Sequence, residues 1–542
     1  MMMELEPWAS FLAVVLATVL VLVVTALYRR NRKSYKLPPG PRAWPVIGNL
    51  NLMGPLPHHS LYELSSRYGP LMSLRFGLVP VVVGSSVDAA RSILKTNDLA
   101  FIDRPRTAAG KYTAYNNSSM LWSPYDDYWR QARKLWQTEL LSAKQLKLYE
   151  HARGEEVSAM LRDLHAESSS TGAAVALSDH LMMASLNVIS RMVLGKKYVV
   201  KGSAGGSEDT TTAEEFGWMM EELFFLNGAV NIGDVIPWLN WLDPQGYIGR
   251  MKRLSKVLDR FLEKVLDEHD ERRRRDGVAF VAKDMVDKLL QLADDPNLKE
   301  LFAAGTDTSA ATIEWAMTEL LKKPEVLTKA TEELDRVVGR NRLVAEGDMP
   351  NLPYLEAIVK ETMRTHPVAP LLTPRQSRED TSVGGYDIPA GTRVLINVMA
   401  ICRDPSVWDA PMEFWPERFL GSSVDVKGQD LELVPFGSGR RMCPGRTLGL
   451  KMVHATLANL LHAFHWRLPD GVAAEELSME EIFRLNVVRK VPLGSSVDVR
   501  GQDLELLPRN RSGQNSMGAS HTLGSRQMAM TLMSTRVPAG MS

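Results

Sequence analysis

The sequence predicts a mainly α-helical protein with small β-sheets and a membrane-spanning helix at its N-terminus. Helical periodicity runs through most of the chain, two short clusters of residues read as strands, and one uncharged apolar run lies near the start. The 542 residues are 45% hydrophobic and 24% charged, which is typical of a globular protein. Lys+Arg and Asp+Glu both number 64, and a formal charge of zero argues against nucleic acid as a general partner.

The predicted membrane anchor is the run Trp8–Tyr28, in which 21 consecutive residues carry no charge. At about 1.5 Å per residue, such a helix spans roughly 30 Å, enough for a bilayer core. Basic residues follow at once and place the rest of the chain in the cytosol: Arg29, Arg30, Arg32, Lys33 and Lys36. Residues 1–36 are therefore predicted to be a single-pass anchor with its basic flank, with a cleaved signal peptide as the alternative. We expect Leu37–Pro41 to be a stiff spacer that holds the body off the membrane.

Residues 37–493 are predicted to form one domain, because no linker-like break interrupts them. The segment Asn231–Asp243 is apolar without a helical period, so it is either a second membrane-touching loop or a packed core loop. The other predicted elements are strands at Leu71–Phe76 and Val79–Val83, helices within Leu140–Leu148, Met251–Leu266 and Ile313–Val338, and a strand cluster at Gly384–Val398.

The last part of the chain contains a partial internal repeat. Gly421–Pro435 and Gly494–Pro508 match at thirteen of fifteen positions, 73 residues apart. The first copy continues into a cysteine-containing loop, whereas the second is followed by polar residues and contains no cysteine. Residues 494–542 are therefore predicted to be a partly duplicated, disordered tail.

The cysteine in that loop, Cys443, is one of only two in the chain, so a disulfide framework is implausible. Gly437 and Gly439 allow a tight loop that can lie against a flat ring. Gly445 follows the cysteine and precedes an amphipathic stretch, and a helix start at that point favours the thiolate form of the sulfur. A thiolate in a glycine-rich loop suits an axial ligand to haem iron; a buried structural cysteine is the alternative.

The pattern Phe436-x-x-Gly439-x-Arg441-x-Cys443-x-Gly445 resembles the ligand loop of cytochrome P450, the haem-thiolate monooxygenase family. The resemblance implies the cytochrome P450 fold and haem b bound through Cys443 to its iron. It also implies an endoplasmic reticulum location and electrons from NADPH, passed on by NADPH–cytochrome P450 reductase. The residues that it assigns to the haem pocket besides the ligand are Phe436, Gly437, Gly445, Trp129, Arg133, Arg375 and Arg441, of which Trp129 and the three arginines would bind the propionates.

The run Ala304–Ser309 begins a helical pattern although it is rich in poor helix formers. Threonine hydroxyls that bond backbone carbonyls would open the helix into a groove for O₂ and water. Asp307 and Thr308 match the family's proton-delivering acid–alcohol pair, and an ordinary helix N-terminus is the alternative. The run Asp294–Asn297 lies only about seven residues before the motif, so the first half of the family's distal helix is expected to be missing.

Three further groups follow from the resemblance. Glu361, Arg364 and Arg418 match the family's buried structural triad, although a pair three residues apart on one helix is more often a surface salt bridge. Basic residues around the thiolate loop would form a face that steers an acidic reductase: Arg130, Lys134, Arg440, Arg446 and Lys451. Substrate contacts are expected from apolar segments, with Phe302, Ala304, Val368, Leu371, Leu372, Asn486 and Val487 as candidates.

The sequence thus predicts a membrane-bound monooxygenase that hydroxylates a lipophilic small molecule with O₂. The motif layout resembles the plant A-type clan, and Val424–Gly428 is similar to a segment of flavonoid 3′-hydroxylases, so flavonoid B-ring hydroxylation is one candidate. Terpenoid, fatty-acid and amino-acid-derived substrates stay open. The alternative functions are a peroxide-rearranging enzyme of the same fold and a catalytically impaired haem protein.

Overall fold

The computed structural model describes residues 15, 19, 35–171, 174–197, 213–292, 305–469 and 471–499. Its α-helices, labelled in chain order, are α1 (Pro57–Tyr68), α2 (Val87–Arg91), α3 (Ala108–Thr113), α4 (Asp127–Leu135), α5 (Ala143–Leu148), α6 (Glu150–Thr171), α7 (Leu177–Leu194), α8 (Ala213–Gly228), α9 (Tyr247–Asp276), α10 (Met285–Leu292), α11 (Asp307–Lys322), α12 (Pro324–Val338), α13 (Pro353–Thr365), α14 (Val398–Cys402) and α15 (Arg446–Ala463). The strands are β1 (Leu71–Phe76), β2 (Val79–Gly84), β3 (Val175–Ala176), β4 (Arg375–Gln376), β5 (Thr381–Val383), β6 (Tyr386–Ile388), β7 (Arg393–Ile396), β8 (Phe464–Arg467), β9 (Glu481–Phe483), β10 (Val487–Arg489) and β11 (Gly494–Val499). These bounds confirm a mainly helical fold with small sheets.

The sheets are small and lie at the edges of the helical body. The largest among the described residues has the strand order β1-β2-β7-β4. In its hairpin, Leu71 lies opposite Gly84 and Phe76 opposite Val79, while β2 runs parallel to β7. The other described sheets are the pairs β9–β10 and β5–β6 and the three-stranded sheet β3-β11-β8.

Helix α11 lies at the centre of the helical body. Its residues from Ser309 to Leu321 are all buried, and it packs against α7, α13 and α15. A helix covered on every side needs apolar residues or satisfied polar ones around its circumference, and its buried Glu314 and Glu319 accept hydrogen bonds from the Leu493 N–H and from His366. The helical run predicted over Ile313–Val338 is two helices, because Pro324 cannot continue α11 and forces Lys323 into an extended conformation.

The spacer prediction is wrong in one respect, because Leu37–Pro41 is docked onto the body. The Ser73 N–H of β1 donates to the Pro39 carbonyl at 2.8 Å. A Cβ on Gly40 would lie 1.8 Å from the Ser73 carbonyl oxygen, so only glycine allows this approach. The predicted anchor Trp8–Tyr28 lies outside the described residues, apart from positions 15 and 19. Within the described ranges, no helix has both the length and the apolar character needed to cross a bilayer.

The prediction of a disordered tail from residue 494 onward is wrong for its first six residues. Gly494–Val499 forms β11, which pairs antiparallel with β8 and β3. Ser495 and Val497 of this strand are 0% and 4% exposed, so the strand belongs to the packed body. Residues 500–542, and the run Asp294–Asn297 where the distal helix was expected to be shortened, lie outside the described residues.

The segment Asn231–Asp243 is packed into the core in its first half and exposed in its second half. Val235 and Ile236 are buried against β1 and β2. Trp238 and Trp241, a few residues later, are 57% and 81% exposed. One half of the loop is therefore a core loop, and the other half presents indole rings at the surface.

Candidate active site

The loop Phe436–Gly445 turns back on itself ahead of α15. The Cys443 N–H donates to the Phe436 carbonyl at 3.0 Å and closes the loop. Gly439 has a φ of 73°, a conformation that favours glycine. A Cβ at this position would also lie 2.3 Å from the Leu94 carbonyl oxygen. The backbone therefore fixes where the sulfur sits.

Two opposing effects act on the pKa of the Cys443 thiol. Gly445 precedes the first turn of α15, and the N–H groups of Gly445 and Arg446 donate to the sulfur. Burial nevertheless raises the pKa of the Cys443 thiol, and these N–H groups with the Arg133 and Arg446 guanidinium groups only partly offset that rise. The expected helix-start effect is present, but burial outweighs it. A metal cation bonded to a thiol deprotonates it outright, so bound iron would supply the charge that this sulfur needs.

A cavity separates the cysteine loop from α11. Cys443, Pro444 and Gly445 line one side, and Thr308, Ser309 and Thr312 of α11 line the other. The remaining wall is mainly apolar and includes Trp136, Leu141, Ile189, Met192, Val193, Met285, Met363, Val368, Pro435, Phe436, Leu448 and Val453. The predicted sulfur ligand and the predicted hydroxyl donor Thr308 therefore face one shared space.

The acid of the predicted pair lies beside this cavity. Asp307 is the first residue of α11, and its Oδ2 accepts a hydrogen bond from Asn486 Nδ2 at 2.7 Å. Burial raises the pKa of Asp307, which allows the carboxyl to hold a proton. The Thr312 hydroxyl donates to the Thr308 carbonyl at 2.9 Å, the kind of hydroxyl–carbonyl bond that the sequence predicted for this helix.

Three buried arginines lie beside the cysteine loop without a carboxylate. Arg375 donates to the Ser438 carbonyl at 3.2 Å, and Arg441 donates to the Ser123 carbonyl at 2.7 Å. Within the described ranges, neither these two nor Arg133 forms an ion pair. Arg375 Nη1 and Arg441 Nε and Nη1 are buried with no hydrogen-bond partner. Burial lowers the pKa of Arg375 and of Arg441 to about 10, so both remain cationic near neutral pH.

This cluster fits a haem. Buried cations with orphaned N–H groups are costly unless an anionic ligand completes them, and the two propionates of a haem accept charge-assisted hydrogen bonds from arginine. The Trp129 indole, also predicted to donate to a propionate, instead donates to the Met120 carbonyl at 3.0 Å. Its ring lies 4.5 Å from the Arg441 guanidinium carbon and supports that cation from one face. The residues present therefore suit the predicted cofactor, with Trp129 in a supporting position.

The cytochrome P450 family model matches residues 38–491. This chain belongs to the cytochrome P450 family. A trimethyltridecatetraene synthase from Zea mays is 49% identical over 91% of this chain and 94% of its own length. A dimethylnonatriene synthase from Zea mays is 48% identical, with 91% and 96% covered. A flavonoid 3′-monooxygenase from Petunia hybrida is 42% identical, with 90% and 97% covered. A zebrafish cytochrome P450 structure matches with a TM-score of 0.66 and 27% identity, covering 82% of this chain and 100% of that one.

The P450 family uses haem, and this chain is a P450 monooxygenase related to plant flavonoid 3′-hydroxylases. Its chemistry requires O₂, a small-molecule substrate and a redox partner. The cysteine loop, the first turn of α11 and the arginine cluster of this P450 thus come from distant parts of the sequence, between Trp129 and Gly445.

The predicted substrate residues of this P450 divide into three groups. Val368 lines the cavity. Leu371 packs against the β1–β2 hairpin, Leu372 lies beside Gly437 of the cysteine loop, and Val487 donates its N–H to the Val368 carbonyl at 2.8 Å. Asn486 bonds to Asp307 and is not among the residues that line the cavity. Phe302 and Ala304 lie outside the described residues.

Several residues that line the P450 cavity were missed by the sequence reasoning. Trp136 belongs to a π-helical segment after α4, Met192 to α7 and Met363 to α13. In the sequence, each of them looks like an ordinary apolar core residue. They reach the cavity only because the helices that carry them cross next to it. A signal was present for Trp136, because it lies seven residues after Trp129, two turns further along one face.

Glu361, Arg364 and Arg418 form a buried triad away from the cavity. Arg364 makes two hydrogen bonds of 2.7 Å with Glu361, and both side chains are 0% exposed. Arg418 Nε lies 3.2 Å from Glu361. The pair is therefore not the surface salt bridge that spacing alone most often gives.

Several basic residues around the cysteine loop already form ion pairs with acidic side chains of the protein. Arg440 pairs with Asp98, and Lys451 pairs with Glu346. Arg130 pairs with Asp127. The preceding residue, Asp126, caps α4, because its carboxylate accepts a hydrogen bond from the Trp129 N–H.

Proposed function

We propose that this P450 is a membrane-anchored monooxygenase of the endoplasmic reticulum that oxidises an acyclic, branched terpenoid. The observation that carries the substrate class is the cavity wall, which is built from apolar side chains. Its polar side-chain groups in the described residues are the Thr308, Ser309 and Thr312 hydroxyls, the cysteine thiol and the Trp136 indole. Such a wall suits a flexible hydrocarbon better than a polyphenol, whose hydroxyls need partners.

The names of two relatives support this class. Trimethyltridecatetraene and dimethylnonatriene, after which the Zea mays synthases are named, are acyclic, branched polyenes without a heteroatom. These relatives are 49% and 48% identical to the chain, against 43% and 42% for flavonoid 3′-monooxygenases.

Flavonoid 3′-hydroxylation is the second candidate function. It is supported by the flavonoid 3′-monooxygenases among the relatives and by the segment Val424–Gly428. That segment lies under the cysteine loop, where the Ser438 hydroxyl donates to the Gly428 carbonyl at 2.9 Å. It cannot contact a substrate in the cavity, so it supports kinship and leaves the substrate open.

The roles of the site residues in this proposal follow from their positions. Cys443 would bind the haem iron, while Arg133, Arg375 and Arg441 would bind the propionates. When bound there, haem supplies the chemistry that activates O₂ for insertion into a C–H bond. The closed loop from Phe436 to Cys443 fixes the sulfur, and the apolar wall excludes water from the reacting substrate.

Proton delivery is assigned to the start of α11. Thr308 lines the cavity and can pass a proton through its hydroxyl to the oxygen side. Asp307 is the adjacent buried carboxyl, and its raised pKa lets it carry the proton that the hydroxyl passes on. An intact acid–alcohol pair favours O₂-dependent chemistry over peroxide rearrangement, which needs no proton supply.

A surface patch fits the membrane-anchored orientation. Trp44, Leu78, Trp238 and Trp241 are 62%, 52%, 57% and 81% exposed. They belong to adjacent segments, because the Leu78 N–H donates to the Val235 carbonyl at 2.8 Å and the Gly77 N–H donates to the Ile47 carbonyl at 3.0 Å. Exposed indoles next to an N-terminal anchor suit a membrane interface.

Electrons are proposed to come from NADPH–cytochrome P450 reductase, which would dock on the cysteine-loop side. Within the described ranges, Lys134 and Arg446 make no ion pair and remain available to an acidic partner. The paired Arg440 and Lys451 contribute less, because Asp98 and Glu346 already neutralise them.

The test uses the full chain in microsomal membranes with a plant NADPH–cytochrome P450 reductase. We expect a reduced carbon-monoxide difference band at the thiolate position, and NADPH-dependent loss of acyclic sesquiterpenoids or diterpenoids. Naringenin tests the flavonoid alternative in the same assay. Cys443→Ser should abolish the band, while the matched control Cys402→Ser, at the other buried cysteine, should keep it. Turnover of naringenin alone would overturn the terpenoid assignment, and a missing band would support the impaired-protein alternative.

A further inference from the structure

The turn between β9 and β10 reaches the first residue of α11, 179 positions away in sequence. Asn486 in this turn is 2% exposed, and its Nδ2 donates to Asp307 Oδ2 at 2.7 Å. Within the described part of the chain, Asn486 is the one hydrogen-bond partner of the Asp307 carboxyl. The Asn486 Oδ1 is buried without a hydrogen-bond partner, so the amide is only half satisfied by the protein. A buried amide in this state calls for an explanation other than fold stability.

We propose that Asn486 is a positioning residue for Asp307, which it holds in place for proton delivery in both of its protonation states. This inference rests on the proposed role of Asp307 as a proton carrier. It replaces the expectation that Asn486 contacts the substrate.

The chemistry of the amide explains why asparagine suits this role. An amide N–H can donate both to an ionised carboxylate and to the carbonyl oxygen of a protonated carboxyl, and as a neutral donor it favours the ionised form less strongly than a cation would. A cationic partner at the same place would hold the carboxylate ionised and prevent it from taking up a proton. The cation that lies near Asp307, Arg484, is itself paired with Glu221 of α8.

The turn that carries Asn486 is itself fixed on two sides. The Leu485 N–H donates to the Phe224 carbonyl of α8 at 2.9 Å, and Arg484 pairs with Glu221 of α8 at 2.6 Å. A Cβ on Gly228, at the end of α8, would lie 2.0 Å from the Arg484 carbonyl carbon. The turn is therefore seated directly against α8.

The other side of the turn is tied to the cavity wall. Val487 donates its N–H to the carbonyl of Val368, a cavity-lining residue, at 2.8 Å. The Asn486 amide therefore takes its position from α8 and from the wall that faces the substrate. A residue held in this way can fix a carboxyl to within the small tolerance that proton transfer needs.

The first experiment compares Asn486→Leu, which keeps the size and removes the donor, with Asp307→Asn and with the double variant. All three holoenzymes should keep the thiolate carbon-monoxide band, because none contacts the cysteine loop. We expect Asn486→Leu to lower product formed per NADPH consumed by about tenfold, within the range that positioning of a proton donor controls. The double variant should be no worse than Asp307→Asn, because both changes act through one carboxyl. Additive losses would overturn the proposal.

A second readout needs neither substrate nor turnover. Infrared difference spectra recorded as a function of pH should contain a carboxyl band that disappears in Asp307→Asn. In Asn486→Leu this band should shift to higher frequency and titrate at higher pH, since a donor that favours the ionised form is gone. An unchanged band would overturn the proposal even where turnover falls. If no tested compound is a substrate, the proposed function fails while this readout still decides the role of Asn486.

A matched pair of variants tests the seat of the turn. Gly228→Ala places a methyl group against Arg484 and should displace the turn, reproducing part of the loss of coupling. Gly217→Ala lies on the same helix, but its Cβ would sit 3.6 Å from Met182 Cε, an ordinary contact, and should leave coupling unchanged. Equal behaviour of the two variants would contradict the contribution of α8.

Discussion

Two sets of buried arginine lie in different parts of this molecule, and their surroundings differ. Arg364 is 0% exposed, forms two hydrogen bonds with Glu361 and donates to the carbonyls of Cys402, Pro411 and Glu413. Arg441 is 8% exposed, yet it donates to a single carbonyl and leaves two N–H-bearing nitrogens without partners. The first cation is fully satisfied by the protein, and the second is not.

The difference separates a residue that stabilises the fold from one that binds a ligand. Removing a water shell from guanidinium costs several kcal/mol, so a folded chain normally provides a carboxylate and carbonyls in exchange. The triad around Glu361 does so. The cluster of Arg133, Arg375 and Arg441 does not, and the cost is offset only when an anionic group binds. Within the described residues, orphaned donors on a buried arginine that has no carboxylate partner therefore mark the ligand site.

The largest effect is expected from breaking the satisfied set. Arg364→Met leaves the Glu361 carboxylate buried without its bidentate partner and removes the guanidinium that donates to three carbonyls. We expect a loss of about 3–5 kcal/mol in the free energy of unfolding, measured by denaturant titration of the holoenzyme. Arg342→Met is the matched control, because Arg342 makes the same bidentate pair with Asp348 at the surface and should cost under about 1 kcal/mol. Similar losses in both would remove the distinction.

The second effect tests the unsatisfied set. Arg441→Met removes a cation that the protein leaves incomplete, so the unfolding free energy should change much less than in Arg364→Met. Haem loss to a high-affinity scavenger should become roughly tenfold to a hundredfold faster, because a charge-assisted hydrogen bond contributes about 1.5–3 kcal/mol. Unchanged haem loss would show that the propionates lie elsewhere.

An intermediate case sharpens the comparison through pH. Arg153 is 1% exposed and donates to Glu346, but its Nη1 has no partner. Burial alone would raise the pKa of Glu346, and hydrogen bonds from Arg153 and Lys451 outweigh it and lower that pKa. The stabilising contribution of Glu346 is thus complete above its unfolded value of about 4.3 and is lost as the pH falls below it. We expect Glu346→Gln to be destabilised by about 1–3 kcal/mol at neutral pH, and the difference should shrink steadily as the pH is lowered below about 4 towards the folded pKa. A pH-independent difference would contradict the linkage.

The smallest effect is expected at Trp129. Trp129→Phe removes the N–H that donates to the Met120 carbonyl but keeps an aromatic face beneath Arg441. Haem loss should change by no more than a few-fold, since the indole N–H is already engaged within the protein. If haem loss from Trp129→Phe were accelerated as much as in Arg441→Met, the indole would have to donate to a propionate after all.

Much of this site was predictable from sequence, because its residues occur in dense local patterns. The cysteine loop, the Ala304–Ser309 motif and the Glu361–Arg364 pair each read as a recognisable unit, and the residue numbers followed directly. Asn486 was also singled out, but its partner was not, because nothing local connects it to Asp307. The thiol also shows the limit of local reasoning, since the helix-start effect was expected and the larger effect of burial was not.

The repeat gives the clearest division between sequence and tertiary structure. The hexapeptide GSSVDV occurs at 421–426 and at 494–499. The first copy has no regular strand, whereas the second forms β11 between β3 and β8. Six identical residues have identical intrinsic preferences, so the neighbouring strands that accept their hydrogen bonds decide which copy becomes a strand.

The sequence by itself determined the family, the cysteine loop and the mainly helical architecture, because each depends on residues that are close together along the chain. Tertiary structure decided which buried arginines are satisfied, which side chains line the cavity and which amide holds the acid of α11. Those properties depend on hydrogen-bond partners and on burial, and both are set by segments that meet only when the helices pack.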